Sequence, residues 1–441
     1  MNKGITLVAL IITIIILLIL AGVAVNIAIN NGGLFEKTQE ATGLHGQASI
    51  NEQTELGKVE DEIDKWLNGG SFEGYDEEKG VNTPILKGMQ PVRWTNDTNI
   101  ATVQNTTEDS ADWYEYVAGN NSTDTKTSHW ANAKTNDGSY FVWIPRYAYK
   151  ITEKPAHANP QTESGKIEVV FLKGTTNQYN DNGTMKDAVA NGYIIHPAFT
   201  FGETQLTGFW VGKYESSNSS GNIKIESGVS SWRNINVSTI FENCYTMASN
   251  PVYGWNVVQN GDTHMIKNVE WGATAYLTHS QYGRNRNEIS PNTNSSYIAG
   301  IAGIDSSTTG NTYGIYDMSG GAYEYVAGNL TGFLGNAGSQ ANFDTIYGGA
   351  LKDKFFDIYD YSGTSGTTGR EPNYQVNSGK TGDALYETST AVTESSSWFS
   401  DSSSFVSSDN PWFVRGGDCS GGEDAGVFYF YNYARWCVRQ P

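Results

Sequence analysis

Residues 314–325 read GIYDMSGGAYEY, which sets Asp317 and Glu324 seven positions apart across the glycine pair Gly320 and Gly321. Aromatic residues on both sides favour extended chain, and adjacent glycines supply the left-handed backbone that a tight turn needs. One reading is strand, turn, strand, with both acids solvated. The other is a hard-cation cage, because a glycine turn lets backbone carbonyls converge beside two carboxylates, and Ca²⁺ takes six to eight oxygens at about 2.4 Å.

The chain around this stretch has 441 residues and a formal net charge of −19. That length is enough for one large domain or two ordinary ones. Binding to nucleic acid depends on clustered Lys and Arg that neutralise phosphates, so the acidic balance argues against a nucleic-acid partner. It suits a secreted protein kept soluble by self-repulsion, or one that holds Ca²⁺. Three cysteines, Cys244, Cys419 and Cys437, are too few for a disulfide framework and lack zinc-ligand spacing. Cys419 and Cys437 pair only if the fold brings them together. The 49 glycines, with abundant Asn, Ser and Thr, imply many turns and short strands.

Aromatic and β-branched runs mark strands at YFVWIPRYAYKI (140–151), KIEVVFL (166–172) and GFWVGKYES (208–216). MIKNVEWGATAYLTHS (265–280) sets Ile266, Val269, Ala273, Tyr276 and Leu277 at steps of three and four, which predicts a helix. Few helices among many short strands make an α+β arrangement. Residues 71–138 are polar and read as a linker with short strands. Its landmark DWYEYVAGN (112–120) shares YEYVAGN with 323–329, taken as a recurring aromatic strand and turn rather than a domain repeat.

At the other end, residues 5–25 form an uncharged apolar run preceded only by Lys3. Roughly 20 such residues span a bilayer core, and the charge asymmetry leaves the short N-terminus inside and the remainder outside. Small residues at 22–24 also suit a secretory signal. The leader MNKG, ending at Gly4 before an unbroken apolar run, resembles a type IV prepilin. That resemblance implies cleavage after Gly4, methylation of the new N-terminus at Ile5, and pilin-like subunits as partners. Ala9 stands where that family usually has glutamate. Residues 34–67 keep rough helical spacing through Leu56, Val59 and Ile63 and read as an amphipathic stalk.

Four further motifs occur in order: GFWVGKYESS, the NVEWGATAYL helix, YGIYDMSGGAYEYVAG and FVRGGDCSGG. Together they resemble the formylglycine-generating-enzyme superfamily, a branch of the C-type-lectin-like fold, over roughly residues 139–440. The family holds both thiol oxidases and non-catalytic ligand-binding scaffolds. Its oxidases use a thiol pair after the R-G-G strand; here Cys419 follows Gly417 by two residues and the next cysteine is Cys437, so the pair does not carry over. The six histidines are scattered, without H-x-x-x-H or H-E-x-x-H spacing. The resemblance does imply Ca²⁺ held by Asp317, Gly320, Ala322 and Glu324, with Gly321 where the family commonly has asparagine.

Toward the C-terminus the chain is dense in Tyr, Trp, Asn and Ser. Such side chains give large contact area at low entropic cost, and they also build strand cores; Val427, Tyr429 and Tyr431 fit either use. Tyr433, Arg435 and Trp436 are the expected ligand contacts. The expected fold class is α+β, a long N-terminal transmembrane, pilin-like helix followed by a C-type-lectin-like domain rich in short strands and loops. Its expected divisions are leader and membrane helix 1–30, stalk 31–70, linker 71–138 and domain 139–441. The expected function is a non-catalytic ligand-binding protein of the bacterial cell membrane and surface. Its membrane partner is met through the N-terminal helix, and its extracellular ligand is a glycan or protein. Alternatives are an enzyme of the same superfamily with altered chemistry, or a structural minor pilin.

Overall fold

Pro145 and Arg146 divide the aromatic run 140–151. Proline has no N–H for the ladder, and the chain leaves one sheet there and enters another. The structure is a computed structural model and describes residues 74–119, 128–153, 164–255, 262–389 and 395–432. All of them belong to one unit, Phe72–Pro441. Tyr140–Pro145 sits inside a five-stranded antiparallel sheet in the order Gly208–Gly212, Tyr140–Pro145, Asn132–Lys134, Gln90–Trp94, Val103–Asn105. Tyr147–Glu153 is the middle strand of a three-stranded sheet between Ile194–Ile195 and Lys166–Phe171. Arg146 is buried at the junction, where Nη1 donates to Phe199 O at 3.1 Å and Leu206 O at 3.3 Å.

Strands 90–94, 103–105 and 132–134 fall within the stretch read from sequence as a polar linker. They pair continuously with 140–145, so the sheet runs across the expected 138/139 boundary. The two copies of YEYVAGN behave differently. The second, apart from Tyr323, lies within the strand Glu324–Leu330, whereas in the first the ladder is reduced to a single bridge, Glu115 to His129.

Glu324–Leu330 belongs to a six-stranded sheet with Asp357–Tyr359, Trp412–Arg415, Phe430–Tyr431, Ser402–Ser403 and Ser395–Ser396. The helix Asn268–His279 packs against strands from more than one sheet and is buried nearly all round, including Thr274, Thr278 and His279. At Gly272 the carbonyl of Gly382 approaches so closely that a Cβ would overlap it. Glycine is required there by proximity rather than by backbone angle.

The expected fold class is corrected by this arrangement. The described residues are mixed α+β with five short helices, and none of them is long and apolar enough to cross a membrane. The 12-residue helix Asn268–His279 rises about 1.5 Å per residue, well short of a hydrocarbon core of about 30 Å. They therefore do not show a long apolar helix leading into a lectin-like domain. The run 5–25, with Gly4 and Ile5, and the stalk 34–67 lie outside the described residues.

Candidate functional site

The motifs that stood in order along the sequence meet in space. Lys213, buried, donates through Nζ to the carbonyls of Thr312 and Gly314, both at 2.7 Å, and burial depresses its pKa well below the ordinary lysine value. Glu215, also buried, accepts the Ala322 N–H at 2.8 Å and the Ser231 hydroxyl. Arg415 donates to Asn268 Oδ1 at 3.2 Å and to the Asp383 carbonyl at 3.0 Å, with its guanidinium 5.5 Å from the Trp271 ring. Burial holds Arg415 down at about 10 despite the nearby Asp383 carboxylate. These charges are fixed on internal partners.

Asp317 and Glu324 are both buried, so neither is a solvated surface acid. Asp317 adopts a left-handed backbone with φ of +64°, which Asp tolerates. Its Oδ1 accepts the Asn292 amide at 2.9 Å and its Oδ2 the Gly300 N–H at 2.7 Å. Gly320, φ +74°, donates its N–H to Gly416 O at 2.9 Å, and a Cβ there would lie 2.6 Å from Asn292 O. Glu324 stands opposite Arg415 in the strand register. A Ca²⁺ on Asp317, Gly320, Ala322 and Glu324 would share the Asp317 carboxylate with these two N–H donors, one on each oxygen. Among the described residues no group of three or more His, Cys, Asp or Glu is gathered as a metal site.

A cleft with a cavity of about 550 Å³ lies along the outer edge of the five-stranded sheet. Gly208, Phe209, Trp210, Val211 and Gly212, five consecutive residues, all line it. Successive side chains of a strand point to opposite faces, so a cleft that touches every residue runs along the strand's edge. Trp143, Phe141, Ile85, Phe201, Leu206 and Ile266 also line it.

One end of the cleft is charged. His264 Nε2 lies 2.9 Å from Glu270 Oε1, while its ring stacks on Phe201 at 4.5 Å. Glu270 Oε2 accepts the Lys267 N–H at 2.8 Å, which ties the dyad to the start of the Asn268–His279 helix. Burial alone would depress the His264 imidazolium, but the Glu270 charge and hydrogen bond, aided by Asp262, outweigh it and raise its pKa above the ordinary histidine value. Burial likewise opposes the Glu270 carboxylate, yet His264 and Lys267 hold its pKa below the usual carboxylate value. Lys354 bridges to Asp262 at 3.0 Å. Cys244 also lines the cleft, and burial pushes its thiol up to about 12, too high for a nucleophile at neutral pH.

Tyr433, Arg435, Trp436 and Cys437 lie outside the described residues. Of the aromatics before them, Trp398, Phe405, Trp412, Phe413, Phe428, Tyr429 and Phe430 are buried and build the core, as is Val427; Tyr431 is half-buried. The cleft's polar end was not legible as a motif, since its His264 is one of six scattered histidines. The available signal was Glu270 at the third position of a predicted helix, where a carboxylate caps the first turn and leaves an oxygen for a neighbour. No protein-family model matches the chain, and no curated protein matches it.

Proposed function

We propose that this chain is a non-catalytic ligand-binding protein displayed at the bacterial cell surface, and that the cleft along Gly208–Gly212 is its binding site. The observation that carries the proposal is the cleft itself: an apolar, aromatic-walled space of about 550 Å³ with a few convergent polar groups at one end. Ligand sites have that composition and size. Surface display rests on the uncharged apolar run 5–25 and on the resemblance of its leader to prepilins. The resemblance to the formylglycine-generating-enzyme superfamily agrees with a non-catalytic scaffold, because its thiol pair is not carried over.

The His264–Glu270 dyad favours a second reading, an enzyme of that superfamily with altered chemistry, since a histidine with a raised pKa in a cleft is a candidate proton carrier. Probing glycan and peptide arrays with the full chain separates the readings. Binding without consumption of the bound compound, lost in Phe209→Ala and Trp210→Ala, supports the scaffold. Turnover abolished by His264→Gln supports the enzyme, and array binding unchanged by the Phe209 and Trp210 substitutions removes the cleft from the account.

A further inference from the structure

The strand Gly208–Gly212 ends its sheet: it pairs with Tyr140–Pro145 on one side, and among the described residues no strand pairs with its other side. The hydrogen bonds that flank it fix which backbone groups face outward. Arg146 N–H donates to Thr207 O at 2.8 Å and Lys213 N–H to Tyr140 O at 3.0 Å. Antiparallel pairs alternate, so Phe209 and Val211 bond inward, and the N–H and C=O of Gly208, Trp210 and Gly212 point along the free edge into the cleft. Exposed edges are normally blunted by Lys, Pro, a bulge or a covering loop. Gly-Phe-Trp-Val-Gly has no charge and no proline, its register with 140–145 is unbroken, and Phe209 to Gly212 are half-buried rather than covered.

We infer that the cleft binds an extended peptide segment, which adds to the sheet as a sixth strand along Gly208–Gly212. The inference rests on the reading of this cleft as the binding site and names the ligand class. A row of backbone donors and acceptors at strand spacing is matched by another backbone, and strand addition draws affinity from that ladder while side-chain pockets select sequence. The charges at the cleft's end are already paired, Lys354 with Asp262 and His264 with Glu270, and the one other charge among the described lining residues is the exposed Lys87. The fitting segment is therefore uncharged beside those pairs, takes an acidic side chain only near Lys87, and sets one apolar side chain over Phe209 and the next over Trp210 on the opposite face.

Random heptapeptides displayed on phage and panned against the purified full chain test this. Enriched peptides, made synthetically, should bind and slow amide exchange at Trp210 and Gly212. Methylating their backbone nitrogens one at a time should weaken binding about tenfold or more at alternate positions and hardly at all between them, because only every second amide of an added strand faces the sheet. This readout leaves the protein's own folding untouched. Enrichment no greater than on an unrelated protein, or methylation without alternation, overturns the inference. So does peptide binding that appears only after truncation beyond Asn432, which would place the chain's own C-terminus on the edge, or a dimer that peptide dissociates, which would place a second copy there. A sugar that occupies the cleft while no peptide does would also overturn it and leave the binding function standing.

Discussion

Trp210 on the outer strand stands directly opposite Trp143 on its neighbour, with ring centroids 5.3 Å apart at 60°. Trp143 is buried, and its indole donates to Asn82 O at 3.2 Å. Trp210 is half-buried, and its indole donates to Ile85 O at 2.8 Å. Both line the cleft, Trp143 from within the core and Trp210 from the edge strand. Trp143→Ala should therefore cost about 3–5 kcal/mol of stability, the range for a fully buried aromatic. Trp210→Ala should cost roughly 1–2 kcal/mol by the same scale, since it is only partly buried, and should chiefly lose ligand. Denaturant midpoints measured beside array binding check the contrast; equal stability losses would make Trp210 a core residue.

The turn at Gly320 and Gly321 supports a second expectation. Gly321 has φ of +72°, and a Cβ there would overlap Glu215 Oε1. Glu215 cannot swing aside without releasing the Ala322 N–H and the Ser231 hydroxyl. Gly321→Ala should lower stability by about 2–4 kcal/mol, combining left-handed strain with a disturbed buried carboxylate. A thermal melt within a degree or two of the parent would show that the segment has room to adjust.

Asp317 bears on calcium. Its oxygens are held by Asn292 and Gly300, and if those bonds are its whole role Asp317→Ala should destabilise to the same extent in Ca²⁺ and in chelator, by about 2–4 kcal/mol for two lost buried hydrogen bonds to a charged group. A cation site would behave differently. Ca²⁺ at about a hundred times its dissociation constant adds roughly 2.7 kcal/mol, and Glu324→Gln would then erase a rise in melting temperature seen only with Ca²⁺. Paired melts of the parent and both variants distinguish the two.

Acid should act through the buried histidines. Burial holds His279 down at about 3, with the Arg284 charge adding to the effect, and its ring packs against both Phe399 and Phe428. A depressed histidine is neutral in the folded chain, and the unfolded chain takes up a proton as pH falls below about 6.5. Its contribution is thus complete above that pH and lost toward 3. The loss is about 2 kcal/mol at pH 5. His279→Leu should gain roughly that much on the parent between pH 7 and pH 5, while Asp383, Asp401 and His196 titrate alike in both proteins and cancel. His264, raised by Glu270, has the opposite sign: its contribution is present below about 6.5 and lost as pH rises through its raised value. A His279→Leu curve parallel to the parent would contradict the assignment.

The longest strands and the longest helix were legible because their signals are local, whereas most of the short strands and four of the five helices among the described residues were not. KIEVVFL became Lys166–Phe171, GFWVGKYES became Gly208–Gly212, and the period-3.6 run at 265–280 became Asn268–His279. The aromatic run 140–151 was read as one strand because its pattern continues through Arg146, whereas Pro145 and the buried guanidinium split it between two sheets. The helix looked amphipathic, yet polar Thr274 and Thr278 are buried too, since each hydroxyl bonds the carbonyl four residues earlier and needs no water. Asp317 and Glu324 drew attention as a pair, but their partners, Asn292, Gly300 and the strand of Arg415, lie too far along the chain for spacing to reveal. The cleft was illegible for the same reason. Its lining runs from Ile85 to Lys354, and an edge strand is distinguished from a central one only by which neighbours are missing.

The most direct measurement of the central claim is amide hydrogen exchange on the full chain, with and without the best compound from the glycan and peptide arrays. The account expects slowed exchange concentrated at Leu206–Gly212 and at the charged end around 262–270, with the strongest effect at Trp210 and Gly212, whose N–H groups face the cleft. Protection confined to other segments, with 206–212 exchanging as in the unliganded protein, would contradict it.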